Sequence, residues 1–486
     1  MKDNIVLVSN RGPVSFRATD EGFETKRGAG GLAGALDPVA RRLGDDAIWI
    51  AAASSDDDRK ALAGGAVDEV REELGYPLRL IEIDPDTYDR YYNNVSNRML
   101  WFANHCLWDE LGIEGFGEEE LDAWNDAYEP VNRLFASTVA EVAVDNALVL
   151  FQDYHLATAP GYLRDMGNRV AIGHFTHSSF CGPRGLAALP QPIPSRIIEG
   201  MLGADLLGFH TGDWVRGWLQ SCEELGLEVD YERGTVERSG RTTWVRAYPI
   251  PIDAVELREL VATEEVEQWA ERFSVYTDVP LIVRADRAEI SKNVVRGFEA
   301  FGALLDRRRD LRGEVRFVAC LYPSRQSMPE YQEYMDRIQA VVEEINGRYP
   351  GSIELFFRDD YDRTLGALIN YDVLLVNSIM DGMNLVSKEG PTINRRDGVL
   401  VLASGAGSYE ELGEHAVGIK DPYDIEETAS AIEVALGMDL DDRKRRAESL
   451  RTIIEARTPE DWIEAQLNDL SEISEGGAPV TPPSAK

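Results

Sequence analysis

Four clusters of polar residues stand where an apolar run gives way to a loop, and each suits the handling of phosphates or sugars. The segment Val373-Leu-Leu-Val-Asn-Ser-Ile-Met-Asp-Gly-Met-Asn-Leu-Val-Ser-Lys-Glu389 reads as a buried strand, a loop holding Asp381 and Gly382, and a helix start. Ligands bind at strand carboxyl ends in open α/β sheets, and a helix start offers unpaired N–H groups to a diphosphate. Glu389, in the helix, could accept hydrogen bonds from a ribose diol. An N-cap-region acid and a solvated helix glutamate would show the same spacing. In Leu281-Ile-Val-Arg-Ala-Asp-Arg-Ala-Glu-Ile-Ser-Lys-Asn293, Arg284 is expected to end a strand, with Arg287 and Lys292 in its exit loop. A guanidinium forks onto phosphate oxygens and an ammonium acts as a point charge, so the pair could neutralise a diphosphate leaving group without a metal. A surface ion-pair network with Asp286 and Glu289 is the plainer alternative.

Two further strand exits carry Asp153 and His155, and His174 and His177, three of only six histidines in the chain. A satisfied structural role suits His174 inside its strand, whereas Asp153 and His177 suit a cleft. Val6-Leu-Val-Ser-Asn-Arg-Gly-Pro13 ends a first strand with Arg11, and Arg27-Gly-Ala-Gly-Gly-Leu-Ala-Gly34 follows as a glycine-rich loop. That loop matches neither G-x-G-x-x-G nor a P-loop, although its glycines allow close approach to a phosphate. The acidic run Ser54–Asp58 reads as a solvated loop. No H-E-x-x-H, G-x-S-x-G or Cys-His arrangement supports a hydrolase.

Positioning such residues requires strands that end side by side. Short apolar runs at Ile5–Ser9, Ala47–Ala52, Ala147–Phe151, Val170–Phe175 and Leu206–His210 form one set. Leu281–Arg284, Val315–Cys320, Ile353–Phe357, Val373–Asn377 and Val399–Leu402 form another. Most do not alternate, as parallel strands covered on both faces would not. Amphipathic stretches such as Val294–Leu305 and Pro329–Ile345 lie between them. The fold class is therefore α/β, with doubly wound parallel sheets. Tyr248-Pro-Ile-Pro-Ile-Asp253 reads as an extended connector between two domains, 1–250 and 251–455. A C-terminal helix, 456–475, is expected to cross back to the first domain, and 476–486 to form a disordered tail.

The 486 residues can bury a substantial core. With 86 acidic and 50 basic side chains the net charge is −36. Such a field repels nucleic acids and anionic membranes, so neither is expected as a partner. Cys106, Cys181, Cys222 and Cys320 lie outside any C-x-x-C spacing and are expected as free thiols. The N-terminal apolar run is too short for a signal peptide, and no stretch approaches a transmembrane helix, so a soluble cytoplasmic protein is expected.

The ordered segments resemble those of the trehalose-6-phosphate synthases of glycosyltransferase family 20. The carriers are SNRGPV (9–14), GAGGLAGAL (28–36), YYNNVSNRMLW (91–101), QDYHL (152–156), DLLGFHT (205–211), YPIPID (248–253), RAEISKN (287–293), YPSR (322–325), DGMNLVSKE (381–389) and GVLVLASGAGSYEELG (398–413). The resemblance implies a GT-B architecture, two Rossmann-like domains facing across a cleft. It implies transfer of a sugar from a nucleotide sugar to glucose 6-phosphate, with retention and with no metal or other cofactor. Arg287 and Lys292 would grip the diphosphate and Glu389 the ribose. Asp381, the backbone of Gly382, Met383, Asn384, Leu385 and Val386, and His177 would bind the donor sugar and phosphates, with Gly31 approaching the phosphates. Asp153 would orient the acceptor, and Arg11, Tyr92, Trp101 and Arg325 would clamp the sugar phosphate. Partners would be these small molecules, and a homo-oligomer is compatible with the pattern.

The sequence departs from the family at His177-Ser-Ser-Phe-Cys181, at Asp286-Arg-Ala-Glu-Ile-Ser-Lys-Asn293, near Ala52 and at Gly390-Pro-Thr-Ile-Asn394. Those departures resemble an actinobacterial branch that tends toward GDP-sugars. That branch includes validamycin-type pseudo-glycosyltransferases, which couple a cyclitol nucleotide to an amino-cyclitol phosphate. GDP-glucose is the expected donor. The competing readings are the cyclitol coupling enzyme, glucosylglycerol-phosphate synthesis and a non-catalytic sugar-nucleotide sensor.

Overall fold

The computed structural model describes residues 4–483 apart from 21, 28–30, 109, 113–114, 275–278 and 327. The chain forms two compact units, one of Met1–Ile250 with Pro459–Lys486 and the other of Pro251–Thr458.

In the first unit the strands run, edge to edge, Leu78–Ile81, Ala47–Ala52, Ile5–Val8, Leu148–Gln152, Ala171–Thr176, Leu206–Phe209, Arg241–Ala247, Thr235–Arg238 and Glu228–Asp230. The first seven are parallel and the last two close the edge as antiparallel neighbours. The strand Ile5–Val8 is first in the chain yet lies between Ala47–Ala52 and Leu148–Gln152. The winding therefore reverses between Ile5–Val8 and Leu148–Gln152, and the carboxyl ends of these two strands flank a crevice. All four residues of Ile5–Val8 and all five of Leu148–Gln152 are buried. That burial explains their unbroken apolar runs, with helices covering both faces.

The second unit repeats the plan with six parallel strands, ordered Ile353–Phe357, Arg316–Tyr322, Leu281–Arg287, Val373–Val376, Val399–Ala403 and Val417–Ile419. Here the winding reverses between Leu281–Arg287 and Val373–Val376. Helices Val294–Arg307 and Pro329–Arg348 lie on this sheet.

Several elements carried no apolar run and were not expected. The hairpin Val14–Thr19 with Gly22–Arg27 is largely exposed on both strands. The edge strands Thr235–Arg238 and Glu228–Asp230 are polar, as solvent-facing antiparallel edges can be.

The chain returns to the first unit through the helix Pro459–Ser474. Trp462 is 3% exposed, donates from Nε1 to the Tyr248 carbonyl at 3.0 Å, and meets the Phe175 ring edge-on at 5.0 Å. Asp469 anchors the end of the chain. Its Oδ2 accepts from the Tyr248 hydroxyl at 2.7 Å, and its Oδ1 accepts from the amides of Val480 (2.6 Å) and Thr481 (3.2 Å). Residues 476–483 are therefore tied down where a disordered tail was expected, because a buried carboxylate supplies the partners their composition does not; 484–486 lie outside the described residues.

The expectation of four free thiols is also corrected. Cys106 and Cys181 form a disulfide, with Cα atoms 6.2 Å apart across 75 residues of sequence. The helix Trp101–Asn104 packs against the segment after Ala171–Thr176, where Asn104 bonds Ser178 (3.2 Å) and Ser179 bonds the Asn104 carbonyl (2.9 Å). Sequence spacing does not report such a contact. Cys222 and Cys320 are free and buried.

Two outcomes are expected. Trp462→Ala should cost about 3–5 kcal/mol by urea denaturation, the range for emptying a buried tryptophan site; a loss within experimental error would refute this role for the returning helix. Thiol titration in denaturant should count two thiols before reduction, Cys222 and Cys320, and all four cysteines after it; four before reduction would refute the bridge.

Candidate active site

In the first unit, Asp153 leaves the strand Leu148–Gln152 with φ 70°, a left-handed conformation that costs a non-glycine residue energy. Surrounding bonds impose it. The Asp153 amide donates to the Phe175 carbonyl at 2.6 Å, and Tyr128, Asn132 and Ala157 to Ala159 knit the following turn to the helix Glu129–Val142. Asp153 Oδ1 accepts from the His177 amide at 3.1 Å, which joins the two strand exits. His177 Nε2 lies 2.9 Å from Gln152 Oε1. Burial, with His210 and His174 nearby, pushes the His177 imidazole well below its usual range, so the ring is neutral. His174, 2% exposed, is lowered to about 4 by burial, consistent with a structural residue inside its strand.

A ladder of aromatic groups leads from Asp153 to Arg11. His155 Nδ1 sits 3.7 Å from Asp153 Oδ2, the His155 and Tyr92 rings stack at 5.7 Å, and Arg11 donates to the Tyr92 hydroxyl at 2.8 Å. Tyr92 belongs to a wide π-type helix, Arg90–Leu100, a form often found at functional sites. Arg11 follows Ile5–Val8 and Asp153 follows Leu148–Gln152, so the cluster occupies the crevice where the winding reverses. Trp101 sits deeper: it is 9% exposed, against His105 at 3.8 Å and Tyr154 at 5.9 Å, and forms a wall rather than an open platform. Gly31 opens the helix Gly31–Leu43, while Gly28, Ala29 and Gly30 lie outside the described residues.

In the second unit, Arg287 ends the strand Leu281–Arg287, and Lys292 closes a 3-10 turn, Ile290–Lys292. Lys292 Nζ pairs with Asp381 Oδ2, which also accepts from Asn384 at 3.0 Å. Asp381 is held from behind: its amide donates to the Gly405 carbonyl at 2.9 Å, and Gly407 donates to its carbonyl at 3.0 Å. A Cβ on Gly405 would fall 2.0 Å from the Ile379 carbonyl oxygen, so only glycine fits there. Gly382, Met383 and Asn384 are buried, Leu385 and Val386 half-buried, and the helix Val386–Ile393 begins at once. Glu389, on that helix, has its carboxyl raised to about 7 by burial alone.

Arg284 does not end its strand. It is fully buried and grips Asp286 Oδ2 through Nε (3.1 Å) and Nη2 (2.8 Å), while Nη2 also donates to the Lys292 carbonyl at 3.0 Å. It is a clamp for the loop; the strand, expected to end at Arg284, runs on to Arg287. Arg325 pairs with Glu289, fully buried, and donates to the Tyr331 hydroxyl at 2.9 Å. Asp286 and Glu289, the acids of the expected surface network, are instead paired in buried bridges with Arg284 and Arg325, and Lys292 is paired with Asp381. Lys388 also belongs to the framework, buried against Glu411 at 2.6 Å.

The structure gathers Arg11, Tyr92, Asp153 and His177 in one unit, and Arg287, Lys292, Asp381 and Glu389 in the other. Sequence reasoning missed Gln152 and Tyr322 as neighbours of these groups. Tyr322 is the register partner of Arg287, a pairing that equal-length parallel strands could have suggested. Among the described residues, no group of three or more histidine, cysteine or acidic side chains is placed to hold a metal ion.

Comparison with known proteins follows the same lines. The description of glycosyltransferase family 20 matches residues 3–472. A UDP-forming α,α-trehalose-phosphate synthase of Botryotinia fuckeliana is 32% identical over 98% of this chain and 90% of its own length. Validamine 7-phosphate valienyltransferase of Streptomyces hygroscopicus subsp. jinggangensis is 30% identical over 96% and 94%. A probable UDP-forming synthase of Arabidopsis thaliana is 30% identical over 95% of this chain, which spans 56% of that longer relative. An Escherichia coli structure described as trehalose-6-phosphate bound with UDP-2-fluoro glucose superposes with TM-score 0.82 at 26% identity, covering 96% of this chain and 99% of that one. A Burkholderia xenovorans UDP-forming synthase in complex with glucose-6-phosphate gives 0.80 at 26% identity, with the same coverage. With two Rossmann-like units, phosphate-suited cations at their strand ends and a family match across almost its whole length, the chain belongs to glycosyltransferase family 20.

Proposed function

We propose that this glycosyltransferase moves glucose from a nucleotide sugar to the anomeric hydroxyl of glucose 6-phosphate, giving α,α-trehalose 6-phosphate with retention. The observation that carries the reading is the second unit's strand-end cluster: Arg287 and Lys292 beside Asp381, with Glu389 on the adjoining helix. Cleavage of the bond between C1 and the diphosphate oxygen leaves negative charge on the diphosphate. Arg287 and Lys292 stabilise that charge where it develops. The departing phosphate oxygen takes the acceptor hydroxyl's proton as the new C1–O bond forms on the same face, so no protein nucleophile is required. Neutral His177 offers the donor sugar a hydrogen-bonding ring rather than a cation. Arg11, braced by Tyr92, receives the acceptor phosphate, and Asp153 orients the acceptor hydroxyls. Within the second unit, Arg325, preset by Glu289, and the 382–386 backbone are offered to phosphates; within the first unit, Gly31 is.

The finer reading is a GDP-glucose donor and work in the cytoplasm. The donor preference rests on the departures at 286–293 and 390–394, against UDP-forming relatives. A second reading, cyclitol coupling to an amino-cyclitol phosphate, is favoured by the likeness to the valienyltransferase.

Turnover with glucose 6-phosphate should yield trehalose 6-phosphate, faster with GDP-glucose than with UDP-glucose. Absence of product with either donor, while nucleotide still binds, would overturn the reaction in favour of cyclitol coupling; a faster UDP-glucose rate would overturn the base preference alone. Lys292→Ala should lower kcat by about 100-fold or more, the cost of removing one preorganised charge-stabilising group, while circular dichroism stays unchanged; near-normal kcat would refute its role. For Glu389, the ionised carboxylate accepts both ribose hydroxyls, so nucleotide binding lowers its raised pKa. Affinity should therefore increase with pH up to about 7 and level off above it. Glu389→Gln should bind more weakly and flatten that profile; an unchanged profile would remove Glu389 from the ribose site.

A further inference from the structure

The first unit carries a pocket of about 390 Å³ whose lining includes neither Asp153 nor His177. Its floor is built at the amino ends of the strands: Asp205, just before Leu206–Phe209, accepts from Ile172 at 2.8 Å, from Arg164 at 2.6 Å and from Arg241 at 2.9 Å. Arg196 and Arg238 reach in from the helix Ile193–Met201 and from the end of Thr235–Arg238. The turn beside Arg238 is fixed, because Ser239 and Gly240 both hold positive φ in a two-residue hairpin.

Three features point to a ligand. Four guanidinia, Arg164, Arg196, Arg238 and Arg241, converge on one pocket in a chain of net charge −36; Asp205 in the floor holds Arg164 and Arg241, which leaves Arg196 and Arg238 as the ones turned to a ligand. The pairs that hold Arg196 and Arg238 are loose: Arg196 meets Glu129 at 3.2 Å and Arg238 meets Glu199 at 3.3 Å, with both arginines 40% exposed or more. Pairs of that kind are worth little, so an anion can compete for the guanidinia. The third feature is a hydroxyl. Thr158 is 4% exposed and lines the pocket, yet its Oγ1 has no hydrogen-bond partner. A buried polar atom left unpaired is costly and calls for an explanation.

We propose that this pocket binds a small phosphate-bearing polyol. Arg196 and Arg238 take the phosphate, while Thr158 and the carboxylates of Glu129 and Glu199 take the hydroxyls. The volume suits a molecule of that size. The site is separate from the reacting groups at the carboxyl edge, so its occupant is an effector rather than a substrate. A path to them exists, since the Thr158 amide and the adjoining Ala159 amide both bond Asn132, whose side chain also holds the His155 carbonyl beside Asp153.

Arginine labelling with phenylglyoxal, read residue by residue by peptide mass mapping, tests the proposal on the full chain. Glycerol 3-phosphate should protect Arg196 and Arg238, and glycerol alone should not. Half-protection should need about tenfold less glycerol 3-phosphate than inorganic phosphate, the gain from about one additional satisfied hydrogen bond. Thr158→Val should abolish that advantage and Thr158→Ser should keep it. Labelling of Arg196 and Arg238 that no probe slows, at concentrations that protect Arg287, would overturn the site. Equal half-protection by inorganic phosphate and glycerol 3-phosphate would overturn the polyol assignment.

Discussion

A doubly wound parallel sheet must reverse its winding beside its first strand, and the two helices that depart to opposite faces leave the strand ends there uncovered. Both units obey this constraint, and every group placed in the candidate site follows from it. In the first unit the reversal presents Arg11 and Asp153; in the second it presents Arg287, Lys292 and Asp381. The strands contribute mainly burial, with Arg284 and Asp286 as an internally paired exception. The cluster's other charged groups enter at or just after the strand ends, as Arg11, Asp153 and Arg287 do.

Holding charged side chains at such ends requires buried countercharges. Arg284 and Asp286 lie inside the second unit, where burial pushes the Asp286 carboxyl up against the pull of Arg284. Breaking a pair of this kind costs about 3–5 kcal/mol, since one charge is left uncompensated. Its use is geometric: Arg284 also binds the Lys292 carbonyl, so the ammonium is presented from a fixed backbone. Glu289 does the same for Arg325. A loop that carries cations is thus rigid before any ligand arrives, and little ordering remains to be done on binding.

The strands and the α/β fold class were legible because fully buried parallel strands write continuous apolar runs. Ala47–Ala52 and Ile353–Phe357 have the expected limits, and the other core strands differ by a few residues at their ends. Elements without an apolar signature were not legible: the exposed hairpin, the polar edge strands, and the π-type helix that sets Tyr92 beside His155. Pairings between distant segments were equally hidden. Nothing in the spacing distinguishes Arg284, a buried clamp, from Arg287, three residues on and at the strand end. Burial made the difference, and burial is a property of the fold. Cys106 and Cys181 are silent in sequence for the same reason.

A strongly acidic chain and the phosphate-bearing ligands proposed for it are reconciled by range. At physiological ionic strength, charges beyond roughly 8 Å are largely screened. The −36 spread over the surface therefore slows the approach of an anion more than it weakens one already bound. At contact, the nearest groups decide. Arg287 and Lys292 stand at one set of strand ends and Arg11 at the other, and the acids beside them are engaged: Asp381 by Lys292 and Asn384, Asp286 by Arg284. Glu389 is the exception, and burial holds its carboxyl near neutrality, where a proton can remove its charge. Selectivity for phosphate in this chain is therefore a matter of which carboxylates are neutralised locally, not of how many the chain carries.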